Sequence, residues 1–131
     1  MSENPLQSQL ITSKLIASLA ARTTLETPGV LRLEPTVKGF LARLGPAALQ
    51  RLSNSAGQNG TYRDDGVRVT INDNVAVVHL DIATDIAYTA LNVAETVQQR
   101  VRGNIGHTGL TVGKVDISIL AIEPPPPAKI S

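Results

Sequence analysis

The sequence predicts an α+β domain: a two-layer sandwich in which a small mixed β-sheet of three or four strands carries two main helices on one face. Three observations predict it. Residues 10–22 and residues 85–102 each place apolar side chains at helical spacing along one side. Residues 67–71 and 75–82 alternate apolar and polar positions around the turn cluster Asn72-Asp73-Asn74, as an antiparallel hairpin does. Residues 111–122 alternate again, with Val115, Ile117, Ile119 and Ala121 on one face. Two one-sided helices and one sheet bury their apolar faces best against each other.

The elements follow in order. In residues 10–22, Leu10, Ile11, Leu15, Ala17, Leu19 and Ala21, with Ile16 and Ala20 beside them, form a broad apolar stripe, and Ser8 is a candidate N-cap. Pro28-Gly29 interrupts the chain, and Val30-Leu31-Arg32-Leu33 fits a short strand before Pro35. Residues 37–44 and 47–52 each suit about two helical turns, split by Gly45-Pro46, with Pro46 at a first-turn position. The polar run 53–60 that follows is expected to be a mobile loop. On the strand 75–82, His79 and Asp81 share the face opposite Val78 and Leu80. Thr84 or Asp85 can cap the second helix, whose apolar face is Ile86, Ala90, Val93, Val97 and Val101. Gly103 and Gly106 are expected to end it. Pro124 to Pro127 stop the last strand. The strand before the second helix and the strand after it need a crossover if they are parallel. The expected organisation is a flexible tail at 1–8, one domain at 9–123 with an insert at 36–63, and a Pro-rich tail at 124–131.

Composition narrows the functional classes. The 131 residues suit one domain. There is no cysteine, which excludes disulfides, thiolate metal sites and a thiol nucleophile. Twelve basic residues face eleven acidic ones, a net charge of +1, so no large field steers nucleic acid. Phe40, Tyr62 and Tyr88 are the only aromatic residues, too few for a base-stacking platform. No apolar run is long enough to span a bilayer, and residues 1–5 show no secretory pattern. The expected location is cytoplasmic, with a peripheral place at the inner face of the membrane as its finer form.

Four stretches resemble the alkaline-shock-protein family of bacterial general and envelope stress proteins, in the style of actinobacterial members. They are the first helix leading into Leu25-Glu26-Thr27-Pro28-Gly29-Val30, the strand at Gly66-Val67-Arg68-Val69-Thr70-Ile71, residues 75–81 leading into residues 93–101, and Thr108-Gly109-Leu110-Thr111-Val112 with Lys114-Val115-Asp116-Ile117. The resemblance covers residues 10–35 and 64–122, not the insert or the tails. Many members have a Tyr-Gly type turn before the second helix; here that turn reads Ala83-Thr84-Asp85-Ile86. The resemblance implies a non-enzymatic protein associated with the cell envelope and with membrane-anchored partners, and it implies no catalytic residues. The expected function is an interaction or scaffold module that docks onto such a partner or onto copies of itself.

The residues themselves offer four candidate sites. In the insert, Lys38, Arg43 and Arg51 lie among Phe40, Leu41, Leu44, Leu49 and Leu52, a pattern that suits a partner groove or a membrane surface. Phe40, Leu41, Arg43, Leu44, Leu49 and Arg51 are therefore the candidate partner contacts; the plainer reading is a cap over the sheet edge. Gly103-Asn104-Ile105-Gly106, preceded by Arg100 and Arg102, matches the Gly-x-x-Gly loop of KH RNA-binding domains. Arg100, Arg102, Gly103 and Gly106 are thus the contacts of an alternative, RNA-binding reading. That loop normally joins two helices, and the sequence has no room for the second. His79 with Asp81 could begin a metal or acid–base site, but no third ligand is evident, and a solvent-facing polar pair is the plainer reading. Asp64, Asp65 and Asp73 sit where Asp is ordinary in turns. No catalytic, cofactor or metal set is assigned, and no cofactor is expected.

Overall fold

The structure is a computed structural model that describes residues 5–35 and 62–127. In chain order the elements are α1 (Pro5–Leu25), β1 (Val30–Leu33), β2 (Tyr62–Asp64), β3 (Val67–Asn72), β4 (Val75–Asp85), α2 (Ala90–Gly106) and β5 (Thr111–Glu123). The fold class is the expected α+β sandwich with a mixed sheet. The sheet holds five strands, one more than the upper expectation, because Tyr62–Asp64 pairs with β3.

β4 organises the sheet. One side runs parallel to β5 along its whole length. The other side is shared: β3 pairs antiparallel with residues 75–80, and β1 pairs antiparallel with residues 82–84. Gly66 and Glu34 meet where those partners change over. The Asp81 N–H donates to the Gly66 carbonyl at 2.9 Å, and the Glu34 N–H donates to the Asp81 carbonyl at 2.8 Å. Gly66 has φ +84°, and a Cβ on it would lie 2.9 Å from the Glu34 carbonyl oxygen. Only glycine suits that conformation and that approach.

The hairpin turn falls on Asp73 and Asn74, with φ 51° and 63°. Two consecutive left-handed residues make the type I′ turn that matches strand twist. β4 continues to Asp85, past the expected end at residue 82. Ala83 and Thr84 are buried, so this part of the strand lacks the alternation that marks a half-buried strand.

Both helices lie on one face. α2 contributes Val93, Val97, Val101 and Ile105, a straight four-residue repeat. The sheet contributes Val67, Val69 and Ile71 from β3, Ala76, Val78, Leu80 and Ile82 from β4, and Val115 from β5. α1 starts at Pro5, inside the segment expected to be a tail. Its buried stripe is Ser13, Ile16, Ala17, Ala20, Thr23 and Thr24, while Leu15, expected on the stripe, is 65% exposed. Small side chains let α1 approach its neighbours closely, and its threonines return their hydroxyls to its own carbonyls. Thr23 bonds Leu19 and Thr24 bonds Ala20, at 2.8 and 2.7 Å.

The turn into α2 also departs from expectation. Thr84 and Asp85 cap nothing, because both belong to β4. Asp85 instead accepts the Ala87 N–H at 2.8 Å, an Asx turn, and Thr89 takes the N-cap position. Ile86 lies before the helix and is exposed.

Candidate functional site

The helices cover one face of the sheet, and the polar positions of β2 to β5 share the other. Strand register orders them in transverse rows. One row runs Arg63, Arg68, His79, Asp116 from β2 to β5. The next pairs Asp81 with Ser118. Residues opposite one another on adjacent strands are close enough for direct side-chain contact.

His79, Asp81 and Ser118 form the centre of this face. His79 Nε2 lies 2.9 Å from Asp81 Oδ1 and 3.2 Å from Ser118 Oγ. The pair is less solvent-facing than expected: the His79 side chain is 26% exposed and that of Asp81 only 9%. Both contacts fall on the same ring nitrogen. A carboxylate only accepts, so Nε2 carries the proton and donates to Asp81. Nε2 then has no lone pair to take the Ser118 proton. A serine relay needs the base and its orienting acid on opposite ring nitrogens, so this arrangement holds strands together rather than activating Ser118. Among the described residues no cluster of three His, Asp or Glu side chains could hold a metal ion. The groove lined by Ala17, Ala21, Leu33, Tyr62 and Val67 lies on the helix side, away from His79.

The two borders of the sheet differ. At the β5 border, strand pairing is one-sided: among the described residues β5 pairs only with β4. Side chains from α2 cap two of its carbonyls. Gln98 Nε2 donates to Val115 at 2.7 Å, and Arg102 Nη1 donates to Val112 at 3.4 Å. No described side chain caps a carbonyl between Asp116 and Ile122. That half carries Leu120 at 44% and Ile122 at 54% exposure, and Ile86 beside it donates its N–H to Glu123. Arg32 clamps the end of the strand, pairing with both Glu123 and Glu34. The hydrogen bond to Arg32 holds the Glu123 carboxyl below the usual carboxylate range. At the β2 border, Arg63 and Arg68 stand directly opposite each other.

The candidates from the sequence fall as follows. Phe40, Leu41, Arg43, Leu44, Leu49 and Arg51 lie outside the described residues. Gly103 and Gly106 lie in the final turns of α2, not in a loop between helices. Arg100 and Arg102 are spent on the fold. Arg100 Nη1 reaches the Glu26 carbonyl and Thr27 Oγ1, both at 3.3 Å, and so caps the C-terminal end of α1. Ser118 was missed by sequence reasoning, because only the β4–β5 register brings it to His79. Arg63 and Arg68 were missed because nothing in the sequence pairs β2 with β3.

No family model matches this chain. No curated protein matches it either. Among solved structures it is similar to a MamM CTD variant in a nickel form, at 14% identity and a TM-score of 0.48, covering 82% of this chain and 96% of that one. A MamM CTD variant in a copper form aligns at 15% identity and a TM-score of 0.48, covering 82% and 95%. Likeness at this level concerns the fold alone, and no ligand or partner transfers from it.

Proposed function

We propose that this chain is a non-catalytic interaction module of the alkaline-shock, envelope-stress type. It docks through the outer edge of β5 onto a membrane-anchored protein partner or onto a second copy of itself. The observation that supports this most directly is the 13-residue strand β5, paired on one side among the described residues, with Leu120 and Ile122 exposed in its uncapped half. An open edge of that length presents unpaired backbone groups, which is how strands recruit further strands. The His79 network favours a structural role over a catalytic one. Among the described residues no helix is long and apolar enough to cross a membrane, so the proposed membrane link runs through the partner. A cytoplasmic location, peripheral at the inner face of the membrane, belongs to the same proposal.

The test pairs sedimentation of the full chain over a range of concentrations with a pull-down from lysate that includes membranes. Both are repeated on Leu120→Lys/Ile122→Lys, since lysine on an edge strand blocks strand addition. The proposal expects self-association, or capture of a membrane protein, that the double variant loses while its circular dichroism stays unchanged. A chain that stays monomeric and captures nothing the variant loses would refute it.

A further inference from the structure

On the open face, the β2 border collects two positive charges, Arg63 and Arg68, that no ion pair among the described residues engages. Arg63 and Arg68 are cross-strand partners. Like charges directly opposite on a sheet repel. Of the described carboxylates in these rows, Asp81 pairs with His79 at 2.9 Å and Asp116 with Lys114 at 3.4 Å. Residues 35–61, which lead into β2, contain no Asp or Glu, whereas Asp64 and Asp65 follow Arg63 directly. Arg63 Nε is buried and has no hydrogen-bond partner among the described residues. Burial first, and then the neighbouring Arg68, lower the pKa of Arg63 from its ordinary value. Arginine stays charged regardless, so two guanidinium groups stand side by side with no ion pair to either among the described residues.

We propose that Arg63 and Arg68 form a binding site for a phosphate-type dianion on the open face of the sheet. Two guanidinium forks, each with several donors, match a tetrahedral anion whose oxygens can accept from both at once. A single planar carboxylate fills one fork and leaves the other charge unbalanced. The anion would offset the cross-strand repulsion through the terminal guanidinium nitrogens. The site stands at the opposite border from β5 and does not depend on edge docking. The phosphate has two possible sources, a free phosphate compound or an anionic lipid headgroup.

The experiment uses the full chain, Arg63→Gln/Arg68→Gln, and Arg63→Lys/Arg68→Lys. One arm titrates inorganic phosphate against chloride at matched ionic strength and follows thermal midpoint and amide NMR shifts. The other measures co-sedimentation with phosphatidylcholine vesicles, with and without phosphatidic acid. Without phosphate, the Gln variant should be at least as stable as the parent, since it lacks the repulsion. With phosphate the order should reverse, and the Gln variant should bind roughly tenfold or more weakly. The Lys variant keeps the charge but loses the forks, so it should fall between them. Binding in both arms, or in the phosphate arm alone, supports the site and a free-phosphate source; binding to phosphatidic acid vesicles alone supports a headgroup source. In either arm the loss in the Gln variant identifies the site, because that variant keeps Lys38, Arg43 and Arg51. Equal binding by parent and Gln variant, or no binding in either arm, would overturn the proposal.

Discussion

Alanine at Gly66 and alanine at Gly103 should move the stability of this domain in opposite directions. At Gly66 the backbone is left-handed, with φ +84°. A side chain there costs about 1–2 kcal/mol. The new Cβ would also lie 2.9 Å from the Glu34 carbonyl, 3.0 Å from the Glu34 nitrogen and 3.1 Å from the Asp81 carbonyl. These are backbone atoms fixed by the hydrogen bonds that join β1, β3 and β4, so they cannot swing aside as a flexible side chain would. Loosening one such bond adds about 1 kcal/mol. Gly66→Ala should therefore lose roughly 2–3 kcal/mol, or about 10 °C in thermal midpoint for a domain of this size. At Gly103 a Cβ meets nothing within 4 Å, and the residue is helical. Gly103→Ala should gain about 0.5–1 kcal/mol from helix propensity alone. Urea and thermal unfolding of the full chain, followed by far-ultraviolet circular dichroism, measure both. If Gly66→Ala loses less than about 0.5 kcal/mol, the changeover from β3 to β1 along β4 is not tight, and the reasoning fails. If Gly103→Ala is destabilising, that stretch has a packing partner, and the Gly-x-x-Gly reading regains ground.

Three further outcomes follow from the same packing. Thr84 is fully buried and its hydroxyl has no hydrogen-bond partner among the described residues. Thr84→Val should raise the urea-derived stability by about 1 kcal/mol; a loss of that size would show that the hydroxyl is hydrogen-bonded after all. Leu80 is fully buried in the central strand, so Leu80→Ala should cost about 2–5 kcal/mol, and a loss below about 1 kcal/mol would place it outside the core. Because Arg32 lowers the Glu123 pKa, the unfolded chain takes up a proton at Glu123 more readily than the native one. That stabilisation is present above the ordinary Glu range and is lost as pH falls through the lowered native value. Glu123→Gln should therefore be slightly less stable than the parent at neutral pH and converge with it in acid, with added salt shrinking the difference. A gap in thermal midpoint that stays constant with pH would show that the ion pair contributes nothing.

How much of this was legible depends on which side chains the packing selects. The second helix was readable because Val93, Val97 and Val101 form one apolar line with polar residues around it. The first was readable as a helix, but its buried side only in part, because Leu10, Ile11, Leu15, Ile16 and Leu19 offer aliphatic residues on two adjacent lines. Ile16, Ala17 and Ala20 of the expected stripe are buried, while close approach adds Ser13 and Thr24 and leaves Leu15 exposed. Thr84-Asp85 looked like a cap because those residues favour caps; the extension of β4 claims them first, and Asp85 spends its carboxylate on a turn instead. A three-residue strand such as β2 carries too short a pattern to read. In the central polar group, His79 and Asp81 were legible from their two-residue spacing. Ser118 was not, since its face could be read from the alternation of β5 but only the parallel register of β5 against β4 places it beside His79.

The polar face is best understood as three zones with separable chemistry. At the centre, Asp81 accepts from His79, and Ser118 completes the link from β4 to β5. Buried polar groups that satisfy one another make a scaffold rigid without inviting a ligand. Both proposed binding surfaces therefore fall at the borders, and they differ in kind. The β5 border offers backbone edge and aliphatic side chains, which suit another strand. The β2 border offers two guanidinium groups with no ion pair among the described residues, which suit an anion. β4 and β3 lie between the borders, and no described ion pair or hydrogen bond joins Arg63 or Arg68 to β5. Effects of substitution at the two borders should therefore add. Combining Leu120→Lys/Ile122→Lys with Arg63→Gln/Arg68→Gln tests this. If edge association and phosphate binding are lost independently, the borders are separate surfaces. If phosphate changes the self-association of the parent but not of the Gln variant, the sheet couples them, and the His79–Asp81–Ser118 bridge is the first place to look for the link.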